Sequence, residues 1–158
     1  MRVGIGHDTH RLEAGRPLVL GGVRIEHARG LIGHSDADVV LHALTDALLG
    51  AAGLGDIGDA YPDTDSEFKD RDSSFFLHET LIRLNQKGYH VVNVDITVFA
   101  QEPRLGPLKT QMRRKLAELL TLDVDAVNVK AKTGEKVGAI GRGEAISCQA
   151  AVLIDKKK

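Results

Sequence analysis

Apolar positions recur at helical spacing most clearly in one stretch. There Val40, Leu44, Ala47, Leu48 and Ala51 form a stripe that predicts a helix over 36–52. Ser35 stands where an N-cap is wanted, Asp38 follows three residues on to meet the first free N–H groups, and Gly53 closes the segment. Asp38, His42 and Asp46 fall at i, i+4 and i+8 on the opposite, polar side. Either carboxylate is then placed to orient the imidazole, although the same spacing also suits an ordinary solvated face.

The remaining pattern alternates between periods of two and of 3.6. Arg2–Gly6 reads as a short first strand, and Leu18–Leu20 and Val23–Ile25 flank Gly21-Gly22 as a tight hairpin. A second helix is expected from Asp72 or Ser73 to Gly88, with Leu77, Leu81 and Leu84 as its apolar side. Val92, Val94, Ile96 and Val98 mark a strand over 89–99, and Pro107 opens a third helix over 107–121 that buries Leu108, Met112, Leu116 and Leu119. A strand over 127–133, a glycine-punctuated connection and a last strand over 145–154 complete the order, with 155–158 expected to fray. This order predicts an α+β fold, a mixed β-sheet with helices packed on one face, plus a small β-hairpin. Strand 89–99, the third helix and strand 126–133 should make a right-handed crossover. The expected organisation is a single domain over 1–158.

Composition adds little to this and removes several options. Of the 158 residues 42% are apolar and 27% charged, and the net charge of −1 gives no electrostatic reason to expect a nucleic-acid or membrane partner. The single cysteine, Cys148, excludes an internal disulfide and lies in an apolar strand pattern, as a small buried hydrophobe would. With no long apolar run at the N-terminus, the expected location is cytoplasmic.

The chemistry gathers around histidines. Asp8 and His10 lie two apart in extended backbone and so point the same way, which makes half of a zinc site, although such a pair is also frequent by chance. With His42 they supply three ligands and leave a fourth position open, the description of a catalytic rather than a structural zinc. The loop over 55–65 is rich in Asp and Gly, suited either to gripping a hydroxylated ligand or simply to turning the chain. His7, His27, His78 and His90 read as surface residues.

Four blocks then carry a resemblance: RVGIGHDTH at 2–10, HSDADVVLHALTDALLG at 34–50, GDIGDAYPDTD at 55–65 and GRGE at 141–144. The chain resembles, over nearly its whole length, the 2-C-methyl-D-erythritol 2,4-cyclodiphosphate synthases of the non-mevalonate isoprenoid pathway. The resemblance implies a homotrimer with active sites between subunits. It implies zinc on Asp8, His10 and His42, and a second divalent ion, magnesium or manganese, reached by Glu135 through the phosphates. The substrate it implies is a cytidine diphosphate derivative, 4-diphosphocytidyl-2-C-methyl-D-erythritol 2-phosphate, cyclised with loss of CMP. His34 and Thr133 are then transition-state donors, with Thr9 and Ser35 near the phosphates. Asp56, Ile57, Gly58, Tyr61, Pro62, Asp63, Thr64 and Asp65 hold the methylerythritol part. Ala100, Arg104, Leu105 and Gly106 of a neighbouring subunit take the cytosine, Lys132, Thr133 and Gly134 meet the phosphates, and Arg142 is a further substrate-binding position.

The chain departs from the family pattern at several of these places. Lys132 and Gly134 stand where threonines are usual, Ala139 and Ile140 replace Phe-Thr near the trimer axis, and Gln149 stands where an acidic partner for Arg142 is common. Two rival readings keep part of the chemistry: a zinc-dependent nucleotide-diphosphate hydrolase, and a non-catalytic trimer that binds a phosphate ligand.

Overall fold

The computed structural model describes residues 1–33, 35–62 and 71–157. Among the described residues, seven strands and five α-helices follow in order: β1 (Arg2–Ala14), β2 (Leu18–Leu20), β3 (Val23–Ile25), β4 (Arg29–Leu31), α1 (Val39–Ala52), α2 (Ile57–Ala60), α3 (Ser73–Gln86), β5 (Tyr89–Phe99), α4 (Lys109–Leu120), β6 (Val127–Lys132), α5 (Gly138–Gly141) and β7 (Ala145–Lys156). Five strands form one sheet in the order β4-β1-β7-β5-β6, and β2 and β3 form a separate hairpin. Only β5 and β6 run parallel, joined through α4 as the crossover pattern requires, so the sheet is mixed.

One face of the sheet makes the core. Ile146, Cys148, Ala150, Val152 and Ile154 of β7 alternate inward with Val94, Ile96 and Val98 of β5, and α1, α3 and α4 cover them. Burial pushes the Cys148 thiol up out of reach of ionisation, consistent with its part as a small hydrophobe. On the other face Val3 and Ile5 stand 67% and 66% exposed.

Several elements differ from the sequence expectation. The first strand does not stop at Gly6 but pairs with β7 through Arg11, because main-chain pairing carries it across a polar stretch that shows no apolar alternation. β4, α2 and α5 are short, and none has enough apolar periodicity to announce itself. Asp155 and Lys156 continue β7 instead of fraying, held against Tyr89 and His90.

The cap of α1 is a further correction. Asp38, not Ser35, is the N-cap, and it is fully buried. Its Oδ1 accepts the N–H groups of Gly21 (2.9 Å), Val40 (3.0 Å) and Leu41 (3.2 Å), and Oδ2 accepts that of Gly22 (2.7 Å). One side chain thus satisfies the helix start and pins the hairpin turn onto it. Gly21 and Gly22 both have positive φ (61° and 72°), as a two-residue hairpin turn demands.

Burial raises the Asp38 carboxyl, the N–H groups of Gly22, Gly21 and Leu41 pull it back, and the balance leaves it at about 6. The folded state therefore binds a proton that the unfolded chain, titrating near pH ~3.9, has already released. Stability from this group falls as pH rises between about 4 and 6, by up to roughly 3 kcal/mol, and is flat above. Asp38→Asn, which removes the charge, is expected to flatten the slope of urea-unfolding free energy across that window.

Candidate metal centre

Gly4 and Gly6 on the inner face of β1 let α1 lie directly on the strand. A Cβ at Gly4 would meet the Ala47 carbonyl oxygen at 1.9 Å, and one at Gly6 the Ala43 carbonyl oxygen at 2.0 Å. Asp8 and His10 continue the same face of the strand. One residue before Ala43, His42 therefore arrives beside them.

Three donor atoms meet there. Asp8 Oδ2 lies 2.9 Å from His10 Nε2 and 3.0 Å from His42 Nδ1, and the two ring nitrogens are 3.1 Å apart. Groups on the far sides of the rings decide which nitrogens carry protons. Nδ1–H of His10 donates to the Ile32 carbonyl at 2.7 Å, so its Nε2 presents a lone pair when the ring is neutral. Nε2–H of His42 donates to Ser73 Oγ at 2.9 Å, since the Ser73 hydroxyl proton is itself given to Asp36 Oδ1. Its Nδ1 likewise presents a lone pair.

Two lone pairs and a carboxylate oxygen thus face one point, an arrangement that calls for a cation. Burial raises the Asp8 carboxyl, but the His10 and His42 rings beside its oxygen outweigh that and hold Asp8 well below the usual range. For His10 burial lowers the pKa, and the hydrogen bond and charge of Asp8 with the Ile32 carbonyl outweigh it, leaving the ring raised. A four-coordinate ion with bonds of about 2.0–2.2 Å sets its ligand atoms about 3.3–3.6 Å apart, so the three atoms need open by only a few tenths of an ångström to hold one. Among the described residues, Asp8, His10 and His42 form the only cluster of this kind.

The polar partners expected on α1 do not orient His42. Asp38 is committed to the helix cap, and Asp46 accepts the N–H of Ile57 at 3.2 Å, which ties α1 to the following loop. Burial raises the Asp46 carboxyl there. The ring is steered instead by Ser73, with Ser35 Oγ at 3.3 Å. Neither Ser73 nor Asp36 stands out in the sequence as a site residue; the visible trace is a serine opening a helix, which by itself reads only as a cap.

The other expected residues fall into two groups. Near the metal centre, the N–H of Thr9 donates to Asp8 Oδ1 (2.8 Å), and Asp56 caps α2, on which Ile57 and Gly58 lie. Tyr61 is buried, its hydroxyl 2.9 Å from Thr80 Oγ1, so its side chain belongs to the core, with Pro62 exposed beyond it. His34, Asp63, Thr64 and Asp65 lie outside the described residues. The second group follows β5 and β6: Ala100 and Leu105 buried, Arg104 and Gly106 exposed, then Lys132, Thr133, Gly134 and Glu135. Thr133 Oγ1–H donates to Glu135 Oε1 at 2.6 Å. Exposed Arg142 pairs with Glu144 at 2.7 Å, so it has an acidic partner although Gln149 is neutral.

Both groups sit at one end of the sheet, because Asp8 is level with Cys148, Val98 and Ala131 across the strands. Three strand spacings, roughly 14 Å, separate β1 from β6. Among the described residues no hydrogen bond or ion pair joins the two groups within one chain. No helix among them is long and apolar enough to cross a membrane.

The model of the YgbB family matches residues 1–155. The 2-C-methyl-D-erythritol 2,4-cyclodiphosphate synthase of Paraburkholderia phymatum is 56% identical over 154 residues, 98% of this chain and 97% of that protein. Among solved structures, the bifunctional IspDF from Campylobacter jejuni matches with a TM-score of 0.95 and 44% identity, over 99% of this chain and 42% of that longer one. A 2C-methyl-D-erythritol-2,4-cyclodiphosphate synthase in its CDP-bound form matches with a TM-score of 0.91 and 39% identity, over 98% of this chain and 100% of that one. A family model spanning almost every residue, and relatives of one name at this identity, agree with the fold and with the convergence of Asp8, His10 and His42: the chain belongs to the YgbB family, among the 2-C-methyl-D-erythritol 2,4-cyclodiphosphate synthases.

Proposed function

We propose that this chain, acting as one domain over 1–158, cyclises 4-diphosphocytidyl-2-C-methyl-D-erythritol 2-phosphate to 2-C-methyl-D-erythritol 2,4-cyclodiphosphate. The substrate's own 2-phosphate oxygen attacks the β-phosphorus, the bond to the oxygen bridging α and β breaks, and CMP leaves with that oxygen. The nucleophile is already anionic, so the reaction asks for no serine, cysteine or strong base. It asks for alignment and for neutralisation of charge. The observation that carries the reading is the set of three acceptor atoms from Asp8, His10 and His42 facing one point with their tautomers fixed.

Zinc suits one carboxylate and two neutral imidazoles, and when bound it polarises a phosphate oxygen and orients nucleophile and leaving group. The chain's own residues do the rest. Asp56 and the main chain of Ile57 and Gly58 grip the hydroxyls of the methylerythritol part, and the Asp46 contact to Ile57 keeps that loop in step with His42. Ser35 and His34 are assigned to the phosphates, Thr9 supports Asp8 through its N–H, and residues 61–65 are assigned to the methylerythritol part. Thr133 gives its hydroxyl proton to Glu135 in the free chain; with substrate bound it would turn that proton to the phosphates and leave the Glu135 carboxylate for the second divalent ion, magnesium or manganese. Lys132 and Arg142 add positive charge, and 100–106 receives the cytosine; a CDP-bound relative of the same fold supports a cytidine nucleotide as the ligand class.

In this reading the assembly is a homotrimer with each site built between neighbours, the second residue group of one chain completing the first group of the next. The exposed Val3 and Ile5 on the uncovered sheet face give such an assembly an apolar surface to bury.

Phosphorus NMR of the purified protein with this substrate, zinc and magnesium tests the reading. CMP and a cyclic diphosphate are expected, and His42→Ala is expected to give neither. CMP with a linear diphosphate would replace cyclisation by hydrolysis, and tight binding without turnover would leave a binding protein.

A further inference from the structure

We propose that Ser73, held by Asp36, is a positioning residue for the metal centre: it fixes His42 as the Nε2–H tautomer and so keeps the Nδ1 lone pair aimed at the ion. The proposal rests on the metal reading above and adds to it a residue that touches neither ion nor substrate.

The direction of the proton chain is dictated by chemistry at its far end. Asp36 Oδ1 accepts the Ser73 hydroxyl proton together with the N–H groups of Asp38 (3.2 Å) and Ser73 (3.3 Å). An ionised carboxylate can only accept, so the Ser73 oxygen is left to accept from His42 Nε2 at 2.9 Å. Ser35 alone does not impose this. Its Oγ is 3.3 Å from Nε2, accepts the Ala37 N–H at 3.1 Å and lies 3.2 Å from Ser73 Oγ, so its own proton can turn either to Ser73 or to Nε2. A hydroxyl donating there would move the imidazole proton to Nδ1 and occupy the lone pair the ion needs. Ser73 forbids that state because its proton is already spent on Asp36. The serine is fully buried, so water does not substitute for Asp36 as its acceptor. The helix cap of α3 is Asp72, not Ser73, so the buried hydroxyl is spare for this purpose. His10 has its counterpart in the Ile32 carbonyl, a group no substitution can remove.

Zinc affinity of the full-length protein, measured by competition with a chromophoric chelator, tests the proposal. Ser73→Ala is expected to lose about tenfold to a hundredfold in affinity, with Ser73→Thr, which keeps the hydroxyl, close to the parent. Nitrogen-15 NMR of the metal-free full-length parent, taken where the His42 ring is neutral in the spectrum, is expected to show it protonated at Nε2. This second measurement does not depend on any variant folding. Unchanged zinc affinity in Ser73→Ala, or a parent His42 protonated at Nδ1, overturns the proposal and leaves the metal reading standing. A parent that binds no zinc overturns both.

Discussion

Asp8→Asn is expected to abolish cyclisation and weaken zinc binding by at least about a hundredfold, yet leave the metal-free chain as resistant to urea as its parent. The two effects part because of what the three atoms are. In the parent, lone pairs of His10 and His42 face an anionic oxygen, and without an ion only a proton on His10 relieves the arrangement. That relief depends on pH in a definite sense. His10 is raised by Asp8, so the stabilisation is complete below its unfolded value of about 6.5 and is lost as pH rises through the folded value. The comparison therefore belongs above the folded His10 value, where the ring is neutral. There the asparagine amide can turn its N–H groups toward both lone pairs and satisfy them, which a carboxylate cannot do. The same turn fills the position an ion would take. A residue that merely braced the strand would show the opposite pattern, with stability lost and metal binding kept. Zinc titration calorimetry and urea unfolding of the metal-free forms decide between them. A variant that binds zinc like the parent, or one destabilised without metal by more than about 1 kcal/mol, would sink the account.

Much of this architecture is readable from residue order, and the gaps have a common physical origin. The hairpin over Gly21-Gly22, α3, β5 and α4 follow from local periodicity and turn chemistry, and the structure has them close to where the pattern puts them. Asp8, His10 and His42 are also legible, since two lie on one face of a strand and the third on a polar stripe. Whatever depends on a partner far along the chain is not. The i, i+4 rule puts Asp38 and Asp46 in reach of His42, but one carboxylate is drawn away by the turn at Gly21 and Gly22 and the other by Ile57. The group that steers His42 is 31 residues away. Local spacing says which side chains share a face and cannot say which of them a tertiary neighbour will claim first. β1 shows the same limit, for its second half is held by β7 and carries no alternation of its own.

Gly6→Ala is expected to cost about 3 kcal/mol or more of stability, the upper end for adding a methyl to a packed interior, and to weaken zinc binding with it. The added Cβ would lie 2.0 Å from the Ala43 carbonyl oxygen and 2.6 Å from the Ala47 nitrogen. Both are backbone atoms of α1, so no side chain can swing aside and the helix itself must lift from the strand. His42 precedes Ala43 on that helix and Asp8 follows Gly6 by two on the strand, so the lift separates Nδ1 from Oδ2, now 3.0 Å apart. Stability and metal affinity should fall together. The same substitution at Gly50 supplies the control. That position lies in α1, is exposed, and an added Cβ meets nothing within 4 Å, so Gly50→Ala is expected to be neutral or to stabilise by up to about 1 kcal/mol. Opposite signs from one chemical change, with zinc affinity lost only at Gly6, are what a strand packed directly against a helix requires. A Gly6→Ala protein with parental urea midpoint and zinc affinity would mean that α1 reaches Asp8 and His10 by some route other than the close contact at Gly4 and Gly6.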